Sequence, residues 1–444
     1  MRQNRATLAL AAPISAGHVG QMLMGLADTV MIGHVGMVSL AACSFANTLL
    51  MVPLVFGFGV LSSVSIRSAL GFGAGEGKAC GRALRAGLWI SLALGILVTG
   101  VAAALLPVLP LFGQKPEVNA AVGNYLLLCA ASATAVYFSA TAKNFCEALS
   151  RPWVPFWILL ASVFLNVFLN WVLIYGRLGI PALGLDGAGL ATLLARVAGA
   201  AAMLSYPLLS IRLRSWARGS LAGPWLKDEL RALMRLGLPA GSMSLAEISG
   251  FAAGSLMIGW ISIEALAAHQ IAITCAATTF MIPLGLSQAL SVRVGNARGG
   301  RRWGDLAPIV EGGTGLTILV MTVCACVFLF GRHILAEFFT SDPALISLAA
   351  QLLLIAAVFQ VFDGLQIAAS GILRGFEDVR FPMLVGITAY WVVALPMSYT
   401  FGFVLGVGAS GVWIGFCTGL AFAAAALLLR VRSRMQRSAG PAVS

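Results

Sequence analysis

The sequence of 444 residues contains few charged side chains. Asp, Glu, Lys and Arg together make up 10% of the chain, and histidine occurs 4 times. Soluble domains usually contain about 25% charged residues. Hydrophobic residues account for 59%, and the mean hydropathy is +0.94. This composition excludes an ordinary soluble domain and indicates an integral membrane protein.

Motifs of several functional classes are also missing. The sequence has no Walker-type phosphate loop, no Ser/His/Asp arrangement and no set of ligands at metal spacing. The 8 cysteines lie mostly in apolar runs without Cys-x-x-Cys spacing, which is typical of packing residues. The first apolar run continues through Asp28 without a small-residue cleavage site, so we interpret it as a retained span. We expect no catalytic residue, no resident metal and no organic cofactor.

The distribution of positive charge indicates topology. A net charge of +12 and an isoelectric point near 9.8 would also fit a nucleic-acid-binding protein. Here, however, Lys and Arg lie in short segments between apolar runs, which is the pattern of cytoplasmic loops. With both termini in the cytoplasm, only Lys115, Arg177 and Arg332 fall on the opposite side. We therefore expect cytoplasmic termini and no nucleic-acid partner.

Apolar runs long enough to cross a bilayer, about 20 residues each, occur repeatedly between charged or Gly- and Pro-rich breaks. An odd number of spans would scramble the separation of positive charge, which supports an even count. The 12 predicted spans are 11–33, 45–70, 86–112, 120–144, 153–175, 187–209, 236–260, 267–293, 312–331, 346–371, 383–404 and 408–430.

The two halves of the chain are related in sequence. An ungapped shift of 226 residues aligns a proline, two apolar triplets and a Ser-x-Arg motif in one register. The aligned pairs are Pro13 with Pro239, 31–33 with 257–259, 40–42 with 266–268, and 65–67 with 291–293. Because each half has an even number of spans, both halves share one orientation and should be related by an axis along the membrane normal, with a cleft between them.

These features predict an all-α integral membrane protein with twelve transmembrane helices in two six-helix lobes related by a parallel internal repeat. The N-terminal lobe is expected at 1–209 and the C-terminal lobe at 236–430. A cytoplasmic linker, 210–235, separates them, and a basic cytoplasmic tail occupies 431–444. This organisation is typical of alternating-access transporters.

Three carboxylates lie inside predicted spans: Asp28, Glu247 and Asp363. A charge at the centre of a spanning helix costs roughly 2.5 to 3.5 kcal/mol on insertion scales, so such residues usually have a function. A buried carboxylate takes up a proton more readily, and a cluster of oxygens can hold a bare cation. Alternatively, the acids link helices through hydrogen bonds. The internal alignment places Asp28 opposite Gly254 and Glu247 opposite Gln21, so each half has its own acidic site.

Polar side chains in the first half could support Asp28. Asn166 and Asn170 present two amides on one face of the fifth span. They would either hydrogen-bond Asp28 or link helices. Arg196 is the one basic residue in the middle of a predicted span. It would act either as a counter-ion or as a snorkelling, structural residue.

Two further side chains in the second half are candidates. Gln270, at the start of the eighth span, would face either the cleft or its mouth. Phe359 lies one turn before Asp363 and would either offer its ring to a cation or pack in the core.

Several stretches, spread over both halves, resemble the multidrug and toxic compound extrusion (MATE) family, and most closely its NorM-like branch. Together with the duplicated plan, the resemblance covers nearly the whole chain. The stretches are GLADTVMIGHVG, LNWVLIYGRLGIPALGLDGAGLAT, LAAHQIA, MIPLGLSQALSVRVGNARG and GLQIAASGILRGFEDVRFP.

The resemblance implies two lobes that form a V around a central cleft, and it implies roles for the acids. Asp28 matches the first-span acid of the N-terminal lobe, and Asn166 and Asn170 match its amide partners. Glu247 and Asp363 match the acids assigned to cation binding in NorM-like members.

The function implied by the resemblance is secondary active efflux of lipophilic or cationic organic compounds in exchange for Na⁺ or H⁺. Some relatives have a tyrosine where this chain has Phe359, which leaves the choice of ion open. We expect a monomer in a bacterial inner membrane. A lipid-linked precursor flippase, or another exporter of small metabolites in the same superfamily, is the alternative. A flippase should carry basic residues for pyrophosphate, and Arg196 is the single candidate.

Overall fold

The computed structural model describes residues 2–218 and 226–438, and the regular elements in these ranges are all helices. Long apolar segments favour helices in lipid because a helix satisfies its backbone hydrogen bonds internally. The long helices in the described ranges are α1 (Arg2–Gly33), α2 (Met37–Gly73), α3 (Gly77–Phe112), α4 (Pro116–Ala148), α5 (Trp153–Tyr175), α6 (Gly184–Leu209), α7 (Lys227–Gly259), α8 (Ile263–Gly299), α9 (Trp303–Glu337), α10 (Pro343–Gly375), α11 (Arg380–Val404) and α12 (Ala409–Ser438).

These helices occupy the positions of the twelve predicted spans. Of the described helices, 10 are long and apolar enough to cross a membrane. The other two, α1 and α7, have 32 and 33 residues, which is ample length for a span. Each is more polar and carries one of the intramembrane acids, Asp28 or Glu247. The all-α fold class is confirmed, and the chain is a multi-pass membrane protein.

Two helices are interrupted at positions that bear on the candidate sites. The helix α4 is broken at Ser132, between Pro116–Ala131 and Ala133–Ala148. The helix α11 contains two π-helical segments, Thr388–Ala394 and Thr400–Val404. Such segments change the direction of the side chains that follow and occur frequently at functional sites.

Contacts divide the chain into two compact units. The N-terminal unit comprises the described residues of Ala16–Gly241. The C-terminal unit comprises those up to Ser15 and those from Ser242 onward. The first half of α1 therefore packs in the C-terminal unit, and the first half of α7 packs in the N-terminal unit. The predicted lobes, 1–209 and 236–430, do not include this exchange, because apolar runs do not indicate which helices pack together.

An arginine of the repeated Ser-x-Arg motif anchors each exchanged segment. In the N-terminal unit, Arg67 donates to both carboxylate oxygens of Glu229, at 3.0 and 3.3 Å. In the C-terminal unit, Arg293 donates to the carbonyl oxygen of Gln3 at 2.7 Å and also binds the Gln3 side chain and the Thr7 hydroxyl. Both the arginines and their partners, Glu229 and Gln3, are related by the 226-residue shift. The two anchors are therefore copies within the repeat.

Small residues bring the exchanged segments close to their partners. A Cβ atom on Gly59 would lie 2.5 Å from the Cα atom of Gly241. A Cβ atom on Gly285, the repeat equivalent of Gly59, would lie 2.8 Å from the backbone nitrogen of Ser15. Small residues allow this approach between membrane helices. Larger side chains at either glycine would push the exchanged segment away.

Parts of two predicted segments lie outside the described residues. These parts are 219–225 of the predicted linker and 439–444 of the predicted tail. The described part of the linker includes a short helix, Arg214–Arg218, and the beginning of α7. The described part of the tail continues α12.

Candidate functional site

The acid of the N-terminal unit lies beside two buried amides. Asp28 accepts a hydrogen bond through Oδ1 from Nδ2 of Asn170 at 2.5 Å. Nδ2 of Asn170 also lies 3.4 Å from Oδ1 of Asn166, and Asn166 donates to Oγ1 of Thr192 at 3.5 Å. Both asparagines are fully buried. Three helices, α1, α5 and α6, thus meet in one polar network, and Thr192 is a member that the sequence did not suggest.

A second contact fixes α1 against α5. The hydroxyl of Tyr175 donates to the carbonyl oxygen of Met31 at 2.9 Å, about one turn after Asp28.

Within the described residues, Oδ1 of Asn170 is buried and has no hydrogen-bond donor. A buried acceptor without a donor costs about 1 to 3 kcal/mol. The network therefore holds one unused acceptor beside Asp28.

Arg196 provides the positive charge of this site. It interacts electrostatically with Asp28, and its Nη1 donates to Oγ of Ser132 at 2.8 Å. Ser132 is fully buried at the break in α4 and donates to the carbonyl oxygen of Cys129 at 2.6 Å. The guanidinium is thus held by the protein instead of extending along the helix. This contact favours the counter-ion interpretation of Arg196 over snorkelling.

The two acids of the C-terminal unit interact with each other. Asp363 of α10 is 5% exposed and lies close enough to Glu247 of α7 for electrostatic repulsion. The hydroxyl of Tyr390, in the first π-helical segment of α11, also lies near Glu247. It is buried and makes no hydrogen bond of ordinary length with the described residues. Gly250 makes room for this tyrosine, because a Cβ atom there would lie 3.0 Å from Cβ of Tyr390.

Two glutamines flank Asp363 on α10. Gln360 and Gln366, three residues before and after the acid, are 1% and 0% exposed. Oε1 of Gln360 accepts a hydrogen bond from the hydroxyl of Thr279 on α8. Nε2 of Gln360, both amide atoms of Gln366 and Oδ1 of Asp363 have no hydrogen-bond partner in the described part of the chain. The unit therefore concentrates uncompensated polar atoms around Asp363, which suits a bound polar species or a cation.

Phe359 lies in a packed aromatic cluster. It is 2% exposed, and its ring centroid lies 6.0 Å from that of Phe251 and 5.4 Å from that of Trp413. Phe251 in turn packs against Tyr390 at 5.5 Å. Both contacts of Phe359 are edge-on, a favourable geometry for aromatic packing. The structure therefore places Phe359 in the core of the C-terminal unit, connected through Phe251 to the tyrosine near Glu247.

Gln270 and its neighbour His269 point in different directions on α8. The side chain of Gln270 is exposed. His269 is buried: the indole N–H of Trp413 donates to its Nδ1 at 3.2 Å, and Oγ of Ser255 lies 2.8 Å from its Nε2. Because an indole N–H can only donate, Nδ1 must be an acceptor, so the ring is neutral. His269 is thus a structural link between helices.

Besides Thr192, four residues near the acids of the C-terminal unit escaped sequence reasoning. Tyr390 depends on the π-helical segment and on Gly250, neither of which has a clear sequence signal. Gln360 and Gln366 could have been found, because two amides at helical spacing on either side of an intramembrane acid share its face. Arg374 follows the predicted span 346–371 and therefore resembles a loop charge, but it lies within α10, and its Nη2 donates to Oγ of Ser287 at 2.8 Å.

Comparison with known sequences supports the internal repeat. The sequence profile of the MatE family matches residues 13–172 and 239–400. The two matches begin 226 residues apart, the shift found by aligning the chain with itself. The duplication predicted from the sequence is therefore confirmed.

Relatives with high coverage share one name. A protein named "Probable multidrug resistance protein NorM" from Bradyrhizobium diazoefficiens is 36% identical, over 98% of this chain and 94% of its own length. A protein of the same name from Pseudomonas putida is 36% identical, over 99% and 96%.

Solved structures share the fold. A crystal structure of MATE in the bent conformation superposes with a TM-score of 0.90 at 21% identity, covering 98% of this chain and 96% of that chain. The Vibrio cholerae MATE transporter VcmN in the bent form superposes with a TM-score of 0.87 at 20% identity, covering 98% of both chains. Since the family profile matches most of the chain and the relatives span its length, the chain belongs to the MatE family, the multidrug and toxic compound extrusion transporters, and to their NorM-like branch.

Proposed function

We propose that this protein is a secondary active efflux transporter that exchanges lipophilic organic cations for Na⁺ or H⁺ by alternating access. It works in a bacterial inner membrane with both termini in the cytoplasm. Asp28, Glu247 and Asp363 hold the coupling cation, and no other cofactor takes part. Each acidic cluster is built from one unit of one chain, so a monomer suffices.

The observation that carries this proposal is the crowding of uncompensated polar atoms around Asp363. A buried acid that served only to link helices would have its oxygens satisfied by donors. Here Oδ1 of Asp363 has no donor within the described residues, while Glu247 adds a second negative charge nearby. A cation would relieve this repulsion, and the side-chain oxygens of Gln366 and Tyr390 are hard ligands of the kind that small cations prefer.

The driving force is adequate for drug efflux. Movement of one charge down a membrane potential provides roughly 2.3 kcal/mol per 100 mV. Each 1.4 kcal/mol corresponds to about a tenfold concentration ratio. Exchange of one coupling cation for one monovalent organic cation moves no net charge, so that exchange is driven by the concentration gradient of the coupling ion. Exchange of two coupling cations for one such substrate moves one net charge, and the roughly 2.3 kcal/mol per 100 mV then supports a substrate gradient of well over tenfold.

The relatives from Bradyrhizobium diazoefficiens and Pseudomonas putida, named for multidrug resistance, support this choice of substrate class. Intramembrane acids in otherwise apolar surroundings also suit lipophilic cations through charge and surface complementarity.

Reconstituted proteoliposomes test the proposal directly. Ethidium efflux would be followed while a Na⁺ gradient and a pH gradient are imposed separately. We expect one of the gradients to drive efflux in the unchanged protein. Asp28→Asn, Glu247→Gln and Asp363→Asn should each reduce gradient-driven efflux at least tenfold, because each removes a charge that the coupling cation would balance.

Exposed acids in the same two units provide matched controls. Glu117 lies in the first turn of α4 and Glu264 in the first turn of α8, and both are exposed. Glu117→Gln and Glu264→Gln should leave efflux unchanged. Coupled efflux that survives in all three intramembrane-acid variants would overturn the proposal, as would efflux that responds to neither gradient.

A further inference from the structure

Arg374 lies about three turns after Asp363 on α10 and is a positive charge that interacts with Glu247. Its Nη2 donates to Oγ of Ser287 on α8 at 2.8 Å. The Ser287 hydroxyl uses its own proton on the carbonyl oxygen of Ile367, at 2.6 Å. The serine therefore presents a lone pair to the guanidinium and holds one end of it in place.

Close packing of α8 and α10 fixes this contact. A Cβ atom on Gly375 would lie 2.8 Å from the carbonyl oxygen of Ser291, and one on Gly371 would collide with the carbonyl and hydroxyl oxygens of Ser287. The two backbones thus approach each other as closely as glycine permits. Ser287 and Arg374 face each other across this interface, so their contact is a consequence of the helix packing.

A second donor, on the same edge of the guanidinium as Nη2, is available. Nε of Arg374 is buried and has no acceptor among the residues described. Arg374 also interacts electrostatically with Glu247. The arginine is therefore held near the carboxylate by Ser287 while keeping an unused donor.

The N-terminal unit contains the same arrangement from different residues. Nη1 of Arg196 donates to Oγ of Ser132 at 2.8 Å, and Arg196 interacts electrostatically with Asp28. The 226-residue shift places Arg196 opposite Phe422, so this pair is not a repeat copy of Arg374 and Ser287. A serine-held arginine near an intramembrane acid thus occurs once in each unit by separate means.

We infer that Arg374 is a positioning residue that serves as a tethered counter-cation for Glu247, competing with the coupling cation and promoting its release. With a cation bound, two carboxylates face two positive charges. When the cation leaves, Arg374 supplies charge to Glu247 and limits the cost of two neighbouring uncompensated carboxylates. The inference rests on the proposed function, because it assumes that Glu247 and Asp363 hold the coupling cation.

Variants of the two residues should change the ion dependence of efflux in opposite directions. Arg374→Gln removes the competitor, so the Na⁺ concentration or proton concentration for half-maximal efflux should fall about tenfold, the effect of removing one nearby charge in a partly screened interior. The maximal rate should fall as well, because the cation leaves more slowly. Ser287→Ala frees the guanidinium to approach Glu247, so the half-maximal ion concentration should rise about threefold.

A double variant and a conservative variant complete the experiment. In Arg374→Gln the added change Ser287→Ala should have no further effect on ion dependence, because the serine acts through the arginine. Arg374→Lys keeps the charge and should retain a half-maximal concentration within about threefold of the unchanged protein. Arg302→Gln, an exposed arginine of the same unit, is the matched control.

Efflux would be measured at varied Na⁺ and fixed pH, and at varied pH without Na⁺, with thermal unfolding of each variant in parallel. A merely structural arginine would lower the rate and the unfolding temperature while leaving the half-maximal ion concentration unchanged, and that result overturns the inference. If Arg374→Gln does not fold, a Ser287→Ala variant with unchanged ion dependence overturns it instead. If Glu247→Gln loses coupling while the arginine variants keep the ion dependence of the unchanged protein, only this inference is rejected. If the acid variants keep coupled efflux, the proposed function is rejected.

Discussion

The anchor between Arg67 and Glu229 leads to a prediction with an internal reference. Glu229 lies in the exchanged first half of α7, is 8% exposed, and receives two hydrogen bonds from Arg67. Its repeat equivalent is Gln3, which binds Arg293 through a neutral amide. Glu229→Gln therefore recreates in the N-terminal unit a pairing that the C-terminal unit already uses, whereas Glu229→Ala removes the acceptor.

The magnitudes follow from these contacts. A hydrogen bond to a charged group contributes about 1.5 to 3 kcal/mol. Arg67 uses both oxygens of Glu229, a glutamine would keep one of these acceptors without the negative charge, and an alanine keeps none. The Arg67 side chain is 32% exposed, so water can replace part of the hydrogen bonding that Arg67 loses in these variants. We expect Glu229→Ala to destabilise the N-terminal unit by about 2 kcal/mol and Glu229→Gln by about 1 kcal/mol.

Thermal unfolding in detergent, followed by intrinsic fluorescence, would rank the variants. A double-mutant cycle with Arg67→Gln isolates the interaction, and we expect a coupling energy of about 1 kcal/mol between Arg67 and Glu229. The exposed Glu117→Gln serves as the control for loss of a carboxylate. A variant Glu229→Gln that unfolds at or below the temperature of Glu229→Ala would refute the reasoning, and so would a coupling energy near zero.

Two further outcomes are expected. Asn170→Ala removes the hydrogen bond that Asn170 donates to Asp28, which contributes about 1 to 2 kcal/mol. Gradient-driven ethidium efflux in proteoliposomes should fall at least fivefold, and unchanged efflux would contradict a role for this network. Gly250→Val forces methyl groups against Tyr390 and should destabilise the protein by about 1 to 3 kcal/mol in thermal unfolding. Gly100→Val is the control, because a Cβ atom on Gly100 has no neighbouring atom within 4 Å, and it should cost about 1 kcal/mol or less. Equal losses of stability in the two variants would contradict this packing argument.

Much of the fold could be predicted from the sequence because hydrophobicity and charge act locally. A bilayer requires spans of a certain length, and positive charge in short loops sets their number. The repeat followed from matches such as Pro13 with Pro239. Which helices pack against one another depends on contacts between distant parts of the chain, which the local pattern of hydrophobicity and charge does not contain. Nothing in the apolar pattern of α1 indicates that its first half contacts Arg293 of α8.

The candidate sites show the same division. A bond between Asp28 and Asn170 is one of two interpretations of the paired amides, the other being a link between helices, and the family resemblance implies the first. Tyr390 could not be predicted, because its position depends on a π-helical segment and on the space beside Gly250. Arg374 escaped for another reason: an arginine close to the end of a predicted span resembles a loop charge until its contact with Ser287 is known.

The exchange of half-helices constrains how the chain is completed during synthesis. The segment up to Ser15 leaves the ribosome first, but its partners Gly285 and Arg293 are made near residue 290. The N-terminal unit likewise waits for the segment that ends at Gly241. Spans can insert into the membrane one after another, yet neither half of the gene encodes a finished unit. A protein cut in the middle of its linker should therefore require both fragments in the same cell before either one acquires its tertiary structure.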